Sequence, residues 1–276
     1  MTLIELMIGL CLSTLLFSII SVIYLAAVHN QSVQTALMRT EENSRIAIQI
    51  LNTDLRLAGF TGCAKLNNNI MPDPPYSFTM QNRLFLFKND DQLSGTDAVT
   101  VQHASIFFVN LIEKMPDTHS LQTTSQLLFK SGDIVLLTDC QSADIFIVKT
   151  ISKQDNTQFI ETDHLLQKQY DKNAELHFFE KNSYFLAKTT RVDEAQQPVY
   201  ALYKSDIQQK KTELVEGMND SKIIYTLLED GKFIEKTSNN VIDWSKVAGI
   251  SIAFIFSSMN SIPLQKKEFT YVAIRE

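Results

Sequence analysis

The chain has 276 residues, 45% of them hydrophobic and 20% charged, with a formal net charge of −6. That composition suits a sizeable globular core in one large domain or two. The acidic balance and the absence of a dense Lys/Arg patch point away from nucleic acid as a partner.

The first element is the apolar run Leu6–Val28 (LMIGLCLSTLLFSIISVIYLAAV), which contains no formal charge. As a helix it spans about 35 Å, enough to cross the ~30 Å hydrocarbon core of a bilayer. It has no basic flank before it and is too long for the apolar part of a cleavable signal peptide, so two readings stand: a membrane anchor with the bulk of the chain outside, or a processed mature terminus whose leader has been removed. A carboxylate, Glu5, stands beside this run. An ionised group there costs several kcal/mol unless it is neutralised or paired, which makes Glu5 a candidate functional residue. Within the run, Gly9 permits close helix approach, and Cys11 is expected to pack as a small hydrophobe.

Helical character continues over residues 29–58, which hold no Pro or Gly and offer a Glu41–Arg45 pair. Ser44, Ile48, Leu51, Leu55 and Ala58 form a semi-apolar stripe, and Gly59 supplies a natural stop. One helix over 1–58 is expected, membrane-spanning at 6–28 and amphipathic at 29–58. Its second half needs a cover, which residues 59–276 supply.

From Phe60 onwards short β-type runs alternate with turns. Strands are expected at Arg83–Lys88, Ala98–Gln102, Ser105–Asn110, Asp133–Thr138, Asp144–Thr150 and Tyr184–Thr190, and later at Val199–Lys204, Lys222–Leu228, Gly249–Phe256 and Glu268–Ile274. Asn67–Pro75 is a loop by composition, Asn89–Asp97 is a polar hairpin turn, and Lys210–Glu216 is helical or bridging. The fold class is α+β, an antiparallel sheet wrapped on the polar half of a long helix.

Outside the apolar run lie Cys63 and Cys140, in neither a CxxC motif nor a Cys/His cluster. They are either one disulfide in an oxidising compartment or two buried thiols. His103, His119, His164 and His177 show no metal-ligand spacing and are expected to be surface or core residues. No nucleophile, zinc-protease or phosphate-loop motif appears, so neither catalysis nor a cofactor is expected.

The stretch TLIELMIGL resembles the N-terminal motif of type IV pilins and pseudopilins, which sets Met1 at the mature first position and Glu5 at the family's carboxylate. ENSRIAIQILNTDLRLAGFTGC (Glu42–Cys63) and LLTDCQSADIFIV (Leu136–Val148) resemble the helix end and second cysteine segment of PilW-type minor pilins. ELVEGM (Glu213–Met218), DWSKVAGISIAF (Asp243–Phe254) and FTYVAIRE (Phe269–Glu276) resemble further segments of that group. Two departures stand out: Met replaces the usual first Phe, and no leader with its terminal Gly precedes it.

The resemblance implies a pilin-like fold, an N-methylated Met1, a Cys63–Cys140 disulfide and no enzymatic turnover. It further implies a Glu5 that neutralises the N-terminal amine of a neighbouring subunit. The implied partners are other minor pilins, the major pilin, the inner-membrane assembly platform and the prepilin peptidase that also methylates. The implied location is the inner membrane with a periplasmic head, then the pilus, where the outputs are adhesion, twitching motility or DNA uptake. A minor pseudopilin of a type II secretion system is the nearest rival. A membrane-anchored periplasmic enzyme or ligand-binding domain is the rival of another class.

Overall fold

The computed structural model describes residues 3–65, 70–72, 78, 83–86, 91–193, 196–237, 241, 243–257 and 265–274. Helix α1 runs without a break from Leu3 to Arg56. At 1.5 Å per residue it is about 80 Å long. It closes with 3-10-type bonds, Leu57 N–H to the Asp54 carbonyl and Ala58 N–H to the Leu55 carbonyl. Gly59 then turns the chain with φ +83°, a left-handed conformation that a side chain disfavours.

Fourteen strands follow among the described residues: β1 (Ile70–Pro72), β2 (Leu84–Leu86), β3 (Val99–Asn110), β4 (Ser120–Thr124), β5 (Ile134–Thr138), β6 (Ala143–Gln154), β7 (Thr157–Thr162), β8 (Glu175–Val192), β9 (Pro198–Ser205), β10 (Lys211–Glu216), β11 (Met218–Glu229), β12 (Lys232–Thr237), β13 (Val247–Ser257) and β14 (Gln265–Ala273). The larger sheet runs β10-β9-β8-β5-β6-β7-β4, with β3 also on β8, β2 on β3 and β1 parallel to β6. The smaller sheet has the order β12-β11-β13-β14. All other pairings are antiparallel. The coarse α+β expectation therefore holds, with one long apolar N-terminal helix and a β-rich head.

The second half of α1 packs in the angle between the two sheets. Ala36, Thr40, Ser44, Ala47, Leu51, Leu55 and Ala58 are buried at helical spacing, so the stripe starts earlier than Ser44, while Ile48 is only half-buried. Ala47, Leu51, Leu55 and Ala58 join one core with Val99, Leu186, Leu202, Ile223, Ile250 and Val272, drawn from both sheets. Polar bonds fix the helix along its length. Asn43 donates to the Glu216 carbonyl at 3.1 Å, and Thr270 donates to Asn52 at 2.9 Å. The sheets are also tied directly to each other. The buried Arg83 guanidinium, beside β2, donates to the Val247 carbonyl at 2.9 Å, and the Asp97 carboxylate accepts the Ile223 N–H at 2.8 Å.

Several expectations are corrected. Lys211–Glu216 is a strand rather than a helical or bridging stretch, because it pairs with β9. The two runs expected at Ala98–Gln102 and Ser105–Asn110 are one strand, with a bulge between Ala104 and Phe108 where it meets β8. Part of the expected loop Asn67–Pro75 is β1, while residues 66–69 and 73–77 lie outside the described ones. The expected strand end at Phe87–Lys88 also lies outside them. Strands β4, β7 and β12 were not expected at all. Strands β2 and β3 on either side of the expected Asn89–Asp97 turn pair antiparallel, and residues 89–90 of that turn lie outside the described ones.

Leu55 is fully buried, whereas Phe17 is 74% exposed. Leu55→Ala is expected to destabilise the head by about 2–5 kcal/mol, and Phe17→Ala to leave it unchanged. Urea unfolding of the full chain in detergent micelles measures both, and equal effects would contradict the division of the helix.

Candidate functional site

The first half of α1 presents an apolar surface with no cover from the head. Among the described side chains, its large apolar ones from Leu3 to Val28 are exposed, from 46% at Val28 to 81% at Leu3. The helix is long and apolar enough to cross a membrane, and its most apolar stretch is entirely unburied. The serine and threonine hydroxyls described there are satisfied within the helix. Ser13, Thr14, Ser18 and Ser21 donate to the carbonyls of Leu10, Cys11, Thr14 and Phe17 at 2.8–2.9 Å. Such back-bonding removes most of the cost of placing a hydroxyl in lipid. Cys11 is unpaired and exposed on this surface and does not pack within the chain. Glu5 lies in the first turns of α1, but its side chain, like Met1, is outside the described residues.

At the other end of α1 the chain enters a covalent clamp. Cys63 and Cys140 are joined by a disulfide, with Cα atoms 4.6 Å apart and a sequence separation of 77. On the chain-entropy model a loop of that length is worth about 4.5 kcal/mol. Tight local geometry seats it. Cys63 N–H donates to Glu175 Oε2 at 3.1 Å, and the same carboxylate meets His177 Nε2 at 3.2 Å. Gly62 has φ +73°, and a Cβ there would lie 2.5 Å from His177 Nε2. Glycine is therefore required on both counts. The clamp fixes the end of α1 to the β5–β6 turn and leaves the apolar half of the helix free.

Between helix and clamp lies a polar clasp. Asp54, in the last turn of α1, faces His103 on β3 and Glu180 on β8, which are directly opposed across the two strands. Asp54 Oδ1 is 3.5 Å from His103 Nε2, with the His103 side chain 2% and the Asp54 side chain 13% exposed. Asp54 Oδ2 accepts from Asn182 Nδ2 at 2.7 Å and from the Tyr184 hydroxyl at 2.6 Å. Asn182 also donates to Glu180 at 3.2 Å. Glu180, Asn182 and Tyr184 alternate along β8 and so share one face of it, turned towards the helix end. Backbone bonds flank the clasp, Gly59 N–H to the Gln102 carbonyl and Ala104 N–H to the Phe60 carbonyl.

Burial alone would raise the Asp54 carboxyl. The positive charge of a protonated His103 3.5 Å away, the Tyr184 hydroxyl and the more distant Lys204 overcome that effect and hold it at about 2. Burial alone would lower the His103 ring, but Asp54 outweighs it and the net displacement is upward.

The Cys pair that the resemblance implies is brought together, and Glu5 stands at the far end of the helix from it. His119 and His164 are partly exposed. His177 is buried beside the clamp, and His103 is the buried centre of the clasp. Sequence spacing gave no sign of the clasp, since only strand register brings His103 opposite Glu180.

The clasp generates a pH prediction. Asp54 is depressed in the folded state, so its contribution is present above the ordinary carboxylate range and is lost as pH falls from about 4 to about 2. Chemical denaturation at a series of pH values should show Asp54→Asn less stable than the parent by on the order of 2 kcal/mol at pH 5, with the gap closing towards pH 2. A gap that does not depend on pH would contradict this assignment.

Compared with known proteins, the chain matches no family model, no curated protein and no solved structure.

Proposed function

We propose that the chain is a minor pilin of the type IV pilus, similar to the PilW-type proteins, that helps to prime assembly with other minor pilins at or near the filament tip. The observation that carries this reading is the division of one unbroken helix. Its first half is apolar on every side and bare, and its second half is built into a disulfide-clamped β head. A filament of such chains buries the bare halves against one another and leaves the heads outside. The motif TLIELMIGL, at the start of that helix, supports the same reading.

In this reading no bond is turned over, and the chemistry is that of assembly. Each chain waits in the inner membrane with its head in the periplasm. As it leaves lipid for the filament, apolar contacts with lipid tails are exchanged for apolar contacts with neighbouring helices. That exchange brings little net hydrophobic gain. Specificity then comes from polar groups, and a carboxylate one turn from a positively charged amine is the strongest available pair at such low dielectric. Glu5 of one subunit pairs with the Met1 amine of the next, which neutralises both and fixes their axial stagger. The rigid end of the helix carries that stagger to the heads, where minor and major pilins meet.

Glu5→Ala is expected to leave the amount of protein in the inner membrane unchanged and to lower its recovery in sheared-pilus fractions about tenfold, equivalent to ~1.4 kcal/mol. Quantitative immunoblotting of both fractions measures this. Equal recovery of variant and parent would remove the role given to Glu5.

A further inference from the structure

We propose that Asp54, His103 and Glu180 form a binding site for a divalent transition metal of the zinc class, which locks the end of the long helix onto the larger sheet. The proposal stands independently of the pilus reading.

The chemistry of the His103 ring carries it. Nδ1 lies 2.9 Å from the Ala104 carbonyl oxygen, which can only accept, so the hydrogen on Nδ1 is committed. The remaining nitrogen, Nε2, is buried and has no hydrogen-bond partner, and it points at the carboxylate of Asp54. Two occupants reconcile Nε2 with the carboxylate it faces: a second ring proton, which makes the ion pair described above, or a metal cation between them. A backbone carbonyl on one nitrogen with the other aimed at an anionic pocket is the orientation of a metal-ligating histidine.

The other two donors fit the same geometry. One nitrogen from His103 and one oxygen each from Asp54 and Glu180 all lie within 4.8 Å of one another, and the Asp54–His103 separation is 3.5 Å. Ligands about 2.0–2.2 Å from a tetrahedral zinc stand some 3.3–3.5 Å apart, so the Asp54–His103 pair already has that spacing and Glu180 lies within reach of it. Asn182 bridges Asp54 and Glu180 from outside through its Nδ2, and Tyr184 holds the outer oxygen of Asp54. These are the supporting hydrogen bonds that orient metal-bound carboxylates. One imidazole and two carboxylates suit zinc and its neighbours, whereas calcium and magnesium favour all-oxygen sites. Three protein ligands leave a fourth position for water.

The ligands come from α1, β3 and β8, so the ion would join the helix to the sheet at the point where force from the helix enters the head. The ion takes the place of the second proton on His103, and the two states exclude each other.

The test uses the full chain in detergent micelles, stripped with chelator and then titrated with Zn²⁺ by calorimetry and with Co²⁺ by absorption spectroscopy. One equivalent per chain is expected, with visible Co²⁺ bands and a rise of several degrees in Tm at saturating Zn²⁺. Glu180→Gln keeps the side-chain shape and is expected to weaken binding at least tenfold while the metal-free Tm stays close to the parent's. His103→Gln, checked for folding by its Tm, should abolish the Co²⁺ bands. No stoichiometric binding to the stripped parent would overturn the proposal and leave a protonated His103 as the partner of Asp54. Binding of unchanged affinity in Glu180→Gln would overturn it as well, by placing the ion elsewhere.

Discussion

The structure depends on one constraint: a single helix must satisfy two surroundings. In hydrocarbon every backbone N–H and C=O has to be bonded within its own segment, so a chain anchored by this helix would keep the α conformation until it is clear of the bilayer. The helix therefore emerges as a rod, and the head is assembled on its protruding end. This explains why the buried stripe on α1 begins only at Ala36 and why small residues recur along it. Ala36, Thr40, Ser44 and Ala47 let strands approach the rod closely, and the larger Leu51 and Leu55 fill the wider space between the sheets.

A rod attached by one stripe would still be free to slide, because apolar packing is not directional. Three kinds of bond remove that freedom at its end. Backbone bonds link Gly59 and Phe60 to β3, the disulfide joins the following turn to the end of β5, and Asp54 is held from two strands at once. The buried carboxylate and imidazole contribute little net stability compared with an apolar pair of the same volume, since both are desolvated. Their value lies in register, because only one position of the helix places Asp54 between His103, Asn182 and Tyr184.

The long helix was plain in the sequence because an uncharged run of bilayer length and a proline-free continuation leave few alternatives. Buried central strands such as β5 and β13 were equally plain, since apolar runs between turn residues mark them. The strands missed or misassigned cluster at sheet edges. β4 and β10 end the larger sheet and β12 ends the smaller one, and β7 lies next to β4. An edge strand faces water on more sides and carries polar residues that blunt further pairing, so KFIEKT and SLQTT lack the apolar signature of a strand. One signal was available at β12. Asp230–Gly231, both with positive φ, is the two-residue turn that favours a hairpin. The clasp had no such signal, because Asp54, His103 and Glu180 meet only through the packing of a helix end on two paired strands.

A pilin-like subunit and a merely anchored domain share the membrane helix, and they differ in what happens to its first residue. Mass spectrometry of the N-terminal peptide and of the intact non-reduced protein, purified from its own membranes, separates them directly. The account predicts a mature chain that starts at Met1 with one methyl group on its α-amine, and a Cys63–Cys140 linkage in the same molecule. An unmethylated, unprocessed N-terminus would contradict it.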